Sequence, residues 1–380
     1  MGRAERIIVC GRVQDMRTLV VNAGSSSLKL SALDSGRLIA STTVEGWQGA
    51  GHLDPLREFL QTCETIDAVG HRVVHGGPRH TEAAIVDDEL IDYLSSIEHL
   101  APLHQPRALA GIEATGQLLP DTPAVACFDT TFHATLPEAA RTYALPRGWN
   151  EQWNLRRYGF HGLSHAHAVR RGAELIGQDP AHLRIVSAHL GAGASLAAVR
   201  NGTSVDTTMG FTPLAGLVMS SRPGTLDPGL LLWLLEHAQV PATVLADVLE
   251  HHAGLKGLSG TSGDMREVLA QRDDGDPDSA LAFDVYLHRL CRELAAMTAA
   301  TGGLDLLVMT GGVGEHSAPV RRAVAESLPH LGLSVDTDRN ESATGDADIT
   351  AAGATARTVV VTAREDLEIH SQLEDLLARN

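Results

Sequence analysis

Apolar residues along this chain fall into two alternating patterns: short β-branched runs that stop at small residues, and longer stretches with helical spacing. Leu19-Val20-Val21 leads into Asn22-Ala23-Gly24-Ser25-Ser26-Ser27 and an extended pattern resumes at Leu28 to Leu30, which predicts strand, tight turn, strand. Ile185 to Leu190 running into Gly191-Ala192-Gly193-Ala194-Ser195 repeats that plan, so each half of the chain opens in the same way. In a third case Leu306-Leu307-Val308-Met309-Thr310 precedes Gly311-Gly312-Val313-Gly314-Glu315, a buried-type strand giving way to glycines ahead of a helix. Phe283, Tyr286, Leu287, Leu290, Cys291 and Leu294 keep the i, i+3, i+4, i+7 spacing of a helix whose apolar face belongs to the core. The last elements predicted are a strand over Thr358 to Val361 and an acidic helix carrying Leu367, Leu373, Leu376 and Leu377.

Strands alternating with helices indicate an α/β protein. The chain has 380 residues, too many for one ordinary core, so two domains with a cleft between them are expected. No low-complexity linker separates the halves.

Composition narrows the function classes. Hydrophobic residues make up 43% and charged residues 20%, the balance of a folded chain rather than a disordered one. A formal charge of −17 gives no electrostatic reason to bind nucleic acid or anionic lipid, so neither is expected as a partner. Any phosphate ligand must be held by local groups. The four cysteines, at 10, 63, 127 and 291, form no CxxC pair, which argues against a zinc cluster or disulfide framework and fits a reducing cytoplasm. Leu230 to Leu235, the longest apolar run, is far short of the roughly 20 residues that cross a bilayer. Residues 1–15 carry Arg3, Arg6 and Arg12 around a stretch too short for a secretory signal, and are read as a disordered extension ahead of Met16, itself a possible start.

A turn free of large side chains can wrap a phosphate with backbone N–H groups, and serine hydroxyls or a lysine ammonium add donors and charge. Asn22 to Lys29 offers all of these. It is not a Walker A loop, and Gly191-x-Gly193 and Gly312-x-Gly314 lack the third glycine of a dinucleotide fingerprint. His161 and His165, at i and i+4, have the spacing of a zinc pair but no glutamate between them and no evident third ligand.

Five segments taken together resemble the acetate kinase family: Val21 to Lys29, Gly70 to Gly77, Phe128 to His133, Arg157 to Gly162 and Asp206 to Leu214. Asp264-Met265-Arg266, Thr310 to Glu315 and Glu365-Asp366-Leu367 extend the likeness from about residue 18 to the end. The resemblance implies two related α/β domains of the sugar kinase, Hsp70 and actin superfamily type. Residues 16–133 with 367–380 would form the N-terminal domain and residues 134–366 a C-terminal nucleotide-binding domain. It implies reversible phosphoryl transfer between ATP and acetate with magnesium or manganese as cofactor, in a homodimer.

Roles follow position by position from the same resemblance. Asn22 and Glu365 position the metal, while Lys29, Ser25 and Ser27 lie near the nucleotide phosphates. Arg72 and Arg222 hold the carboxylate and the moving phosphoryl group, a task suited to a planar, permanently charged guanidinium. His161 donates to the phosphoryl oxygens with His104 assisting, and Asp129 is the family's active-site acid or base. Because the acceptor carboxylate, with a pKa of about 4, is already ionised at neutral pH, Asp129 is better read as organising metal-bound water and orienting an arginine. Val74, Leu103, Phe160 and Pro213 surround the substrate methyl. The second phosphate turn is His189, Leu190, Gly191, Ala192 and Gly193; Asp264, Met265 and Arg266 with Gly312, Val313, Gly314, Glu315 and His316 form the adenosine side.

The chain departs from the family at Ala192, where an asparagine is usual, and at Gln105, Leu163, Ala215, Ser220 and His316. Several of these lie on the nucleotide side, so a propionate, butyrate or pyrophosphate-dependent carboxylate kinase, or a catalytically weak nucleotide-binding relative, are the alternatives.

Overall fold

The computed structural model describes residues 16–24, 27–47 and 53–379. The expected N-terminal extension and Ser25 lie outside the described residues. Two compact units emerge, Met1–Phe128 with Asp366–Asn380, and Asp129–Glu365. The chain enters the second unit at Asp129, ahead of the position after His133 drawn from sequence.

The first unit is built on a sheet of β1 (Arg17–Ala23), β2 (Ser27–Asp34), β3 (Arg37–Glu45), β4 (Ala68–Val73), β5 (Ala84–Ile85) and β6 (Ala124–Phe128), in the order β3-β2-β1-β4-β6-β5. The second contains β7 (Arg184–Leu190), β8 (Ala194–Arg200), β9 (Thr203–Thr207), β10 (Leu306–Thr310), β11 (Ala347–Asp348) and β12 (Arg357–Val360), in the order β11-β12-β10-β7-β8-β9. Read from its third strand, each sheet has the same path. Two antiparallel hairpin pairings lead to the unit's first strand, two parallel pairings follow, and a two-residue antiparallel strand closes the edge. Even the register irregularity recurs, at Ala32/Leu33 in β2 and at Ala198/Val199 in β8. The two units are therefore structural repeats.

Parallel strands need helical crossovers, and those helices cover both faces of the sheet, which is why β1 and β10 are almost wholly buried. In the second unit Ala168, Val169 and Ala173 of the helix Gly162–Leu175 pack on Ile185, Val199, Leu306, Val308 and Val359. The predicted helix spans Pro277–Thr301, with Asp276 accepting from Ser279 N at its start and Gly302, at φ 77°, ending it. Phe283, Tyr286, Leu290 and Leu294 are buried as expected, whereas Leu287 and Cys291 lie at the edge of that face.

The last helix, Glu365–Arg379, differs from the expected leucine face. It buries Glu368, Ile369, His370 and Leu373, with Leu367, Leu376 and Leu377 only partly covered. Ile369 fits against Gly70 of β4 so closely that a Cβ there would lie 2.4 Å from its Cγ2. The Leu230–Leu235 run also departs from its apolar appearance, because the helix Pro228–Glu236 buries none of its residues. Among the described residues no helix is long and apolar enough to cross a membrane.

Candidate active site

In open α/β sheets, ligands gather outside the carboxyl ends of parallel strands. Asn22, Arg72 and Asp129 in or beside the first sheet, and Leu190, Gly191 and Gly312 in the second, sit at or just after those ends. In the first, register pairs Asn22 at the end of β1 with Arg72 of β4 and with Lys29 of β2. Arg72 Nη1 donates to Asn22 Oδ1 at 3.2 Å, while the Lys29 side chain is exposed. Ser27 O accepts from Gly24 N at 2.8 Å and closes the turn between the strands. Asn22, Lys29 and Arg72 are thus brought together. Val74 is buried, Leu103 is 39% exposed, and His104 begins the helix Gln105–Leu118.

In the second unit the turn after β7 closes through Gly191 N donating to Gly193 O at 3.0 Å. His161 precedes the helix Gly162–Leu175 in the left-handed conformation, φ 56° and ψ 25°, which costs a residue with a Cβ roughly 1–2 kcal/mol. The next residue shows what demands it. Gly162 N donates to Asp129 O at 2.8 Å, and a Cβ at Gly162 would lie 2.2 Å from that oxygen. Backbone contact therefore seats Asp129, which is 1% exposed, beside the His161 loop.

The His161 ring stacks on His189 with centroids 4.4 Å apart, and His189 Nδ1 is 2.8 Å from Ser164 Oγ. His161 Nδ1 is 3.0 Å from Ser195 Oγ. On the opposite edge a Cβ at Gly193 would stand 3.2 Å from His161 Nε2 and 2.8 Å from Arg222 Nη2. Only a glycine lets the turn, the imidazole and the guanidinium meet. Arg222 Nη1 donates to Pro213 O at 3.0 Å, and burial pulls its pKa down from the ordinary arginine value. Phe160 is buried, its carbonyl 3.1 Å from His133 Nε2.

The other side of the same turn faces a cavity of about 690 Å³. Gly191, Ala192, Asp264, Met265 and Arg266 line it, joined by Gly312, Val313 and His316. Tyr286, Met219, Leu255 and Leu269 supply apolar wall that the sequence reading missed, although Tyr286 was placed on a core face. Asp264 caps the helix Met265–Asp273 by accepting from Arg266 N at 2.8 Å, and its carboxylate pairs with the Arg266 guanidinium at 2.5 Å, so both pKa values move to favour the charged forms. The ion pair and the cavity wall are one feature. Gly314 and Glu315 are outside the lining: Gly314 is buried beneath it and Glu315 Oε1 accepts from Ala363 N at 2.9 Å. Behind them the buried Arg321 guanidinium donates to the Gly314 and Glu315 carbonyls and to Asn340. Glu365 opens the last helix.

The i, i+4 histidines do not form a metal pair. His161 Nδ1 and His165 Nε2 both turn onto the Ser195 hydroxyl, at 3.0 and 2.8 Å. Ser195 lay in a predicted turn but begins β8 as its second, fully buried residue, and only the rule that buried hydroxyls find partners pointed to it.

The sequence profile of the acetokinase family matches residues 50–371. The acetate kinase of Nostoc punctiforme is 47% identical over 312 residues, 82% of this chain and 77% of that protein. The acetate kinase of Gloeobacter violaceus is 46% identical over 396 residues, 93% of this chain and 98% of its own length. Among solved structures, Porphyromonas gingivalis acetate kinase matches with a TM-score of 0.88 at 34% identity, covering 95% of this chain and all of that one. A propionate kinase from Francisella tularensis matches at 0.86 and 31%, over 94% and 98%. With this much of its length matched, the chain belongs to the acetokinase family.

Proposed function

We propose that this chain is an acetate kinase that transfers a phosphoryl group reversibly between ATP and acetate, giving ADP and acetyl phosphate. One observation carries the reading. A single glycine turn presents one side to a cavity of about 690 Å³, large enough for a nucleoside, and the other to His161 and Arg222. The nucleotide therefore lies against Ala192, Gly312 and Val313, with its phosphates at the turn's backbone N–H groups.

Phosphoryl transfer demands positioning and charge neutralisation more than covalent help from the protein. Arg222 offers a fixed guanidinium to the transferring group and His161 a ring N–H. Arg72, at the end of β4, offers the same bidentate geometry to the carboxylate. Asp129 is assigned to organising metal-bound water and orienting an arginine rather than to removing a proton, since the acceptor is already an anion. Magnesium takes oxygen ligands and is commonly held by one or two carboxylates plus substrate phosphates. Asn22 and Glu365 supply an amide and a carboxylate oxygen of that kind, and the bound ion would neutralise phosphate charge. The Asn22 oxygen accepts from Arg72, and its second lone pair leaves it able to ligate an ion as well.

The acyl side is assigned to Val74, Leu103, Phe160 and Pro213. A small apolar acyl site would discriminate a methylene by only about 1–3 kcal/mol, so propionate should turn over roughly 10- to 200-fold less efficiently and not be excluded. We read the exposed apolar helix Pro228–Glu236 as surface for a second copy in a homodimer. Acyl phosphate trapped as hydroxamate, for acetate, propionate and butyrate with ATP or pyrophosphate, tests the function. Acetate with ATP should give the highest kcat/KM. Absence of product from every pair refutes the kinase, and product with pyrophosphate alone refutes the donor.

A further inference from the structure

We propose that Ser195 and His165 are positioning residues that fix the tautomer of His161, so that its Nε2 carries the proton and donates toward the phosphoryl group. The inference rests on the reading of His161 as phosphoryl-facing and adds what holds it in that state.

Four side chains form one line. Ser187 Oγ is 2.9 Å from His165 Nδ1, His165 Nε2 is 2.8 Å from Ser195 Oγ, and Ser195 Oγ is 3.0 Å from His161 Nδ1. Ser187, His165 and Ser195 are fully buried. Burial, with His133 and His189 nearby, holds the His165 pKa well below its ordinary value, so that ring is neutral and has one N–H and one acceptor nitrogen.

With one proton per neutral ring and the Ser195 proton spent within the line, two polarities remain; if Ser195 instead accepts from both rings, His161 carries its proton on Nδ1 as in the reverse polarity. In the first, Ser187 donates to His165 Nδ1, His165 Nε2–H donates to Ser195, and the Ser195 hydroxyl donates to His161 Nδ1. His161 is then a neutral ring with its proton on Nε2, the nitrogen on the Gly193 and Arg222 side. In the reverse polarity His161 Nδ1–H donates to Ser195, and Nε2 becomes a donor only if the ring takes up a second proton. The Arg222 guanidinium beside that edge opposes a second positive charge. Only the first polarity gives Nε2 a proton to donate without adding charge. The left-handed backbone at His161 and the stacked His189 ring hold the imidazole plane on which the line depends.

The test is ¹⁵N NMR of ring-labelled histidine in the intact enzyme near neutral pH, with the His161 signals assigned by difference from His161→Gln. Wild type should show His161 with a protonated Nε2 and an acceptor Nδ1. Ser195→Ala, which removes only the bridging hydroxyl, should give a mixture of tautomers and lower kcat about tenfold, with KM for both substrates within twofold. Ser187→Ala, one link further out, should move tautomer and kcat in the same direction by less, and covers the case in which Ser195→Ala does not fold. An unchanged His161 tautomer in the folded variants overturns the relay. Full activity in His161→Gln overturns the phosphoryl-facing role instead, whatever the tautomer, so the two failures are distinguishable.

Discussion

Replacing Gly193 by alanine puts a methyl group where Arg222 and His161 already close on the turn. Its Cβ would stand 2.8 Å from Arg222 Nη2, 3.2 Å from His161 Nε2 and 3.3 Å from His161 Cε1. Non-bonded heavy atoms settle at roughly 3.5 Å, so the guanidinium tip must retreat by about 0.7 Å and the ring by a few tenths. Gly193 has no positive φ, so alanine adds no backbone strain, and the atoms that yield are side-chain ends. Folding should therefore survive with a Tm close to wild type. Arg222 cannot retreat freely, because its Nη1 is held by Pro213 O at 3.0 Å. Displacements approaching 1 Å in a group that stabilises transferring charge cost up to about 100-fold in rate. We expect kcat to fall 10- to 100-fold, about 1.4–2.7 kcal/mol of transition-state stabilisation, with a smaller change in KM for ATP. Gly116→Ala is the control: it is exposed on the helix Gln105–Leu118 away from the turn, nothing lies within 4 Å of its Cβ position, and kcat should stay within threefold. The measurement is steady-state acyl phosphate formation alongside thermal unfolding. A Gly193→Ala enzyme with kcat within twofold of wild type would refute the convergence of Arg222 and His161 on the reacting group.

Ala192 lines the cavity where the family pattern has an asparagine, so Ala192→Asn should restore a hydrogen bond to charged phosphate worth about 1.5–3 kcal/mol and lower KM for ATP by tenfold or more, leaving KM for acetate unchanged; an unaltered ATP KM counts against phosphate at this turn. Arg321→Lys keeps the charge but cannot reach all four acceptors, so unfolding by urea should show a loss of about 2–4 kcal/mol and KM for ATP should rise more than kcat falls; unchanged stability refutes the claim that it braces the helix Gly311–His316. Burial lowers His71 to about 3, His133 to about 4 and His165 well below its ordinary 6.5. Above pH 6.5 these rings are neutral folded or unfolded; below it only the unfolded chain binds their protons, so stability should fall by about 1.4 kcal/mol per pH unit for each until its folded pKa is reached. Urea midpoints at pH 7 and 5.5 check the sign, and a midpoint that rises in acid contradicts it.

What the sequence could and could not reveal follows from how each element is held. β1 with β2, and β7 with β8, were legible because a β-branched or apolar run ended in small residues, a local signal that tertiary packing only reinforced. β5 and β11 are two residues each and exist because a neighbouring strand has an unpaired edge, information no local pattern contains. The Leu230–Leu235 run shows the converse limit: hydrophobicity says a surface wants covering, not that its own chain covers it. Within the site, motifs identified the groups that can touch anions, since Arg72, Arg222 and His161 have chemistry that narrows their use. They said nothing of Ser187 and Ser195, whose hydroxyls on buried strands read like any small strand residue until His165 is seen between them. For Asp264 and Arg266, a surface ion pair and a ligand wall are roles that sequence alone does not join. The geometry makes them compatible, because the capping bond that fixes Asp264 also carries Arg266 to the cavity rim. A chain that loses one side-chain amide at Ala192 can thus retain a nucleotide pocket, as the turn's own N–H groups and the walls around it do not depend on that amide.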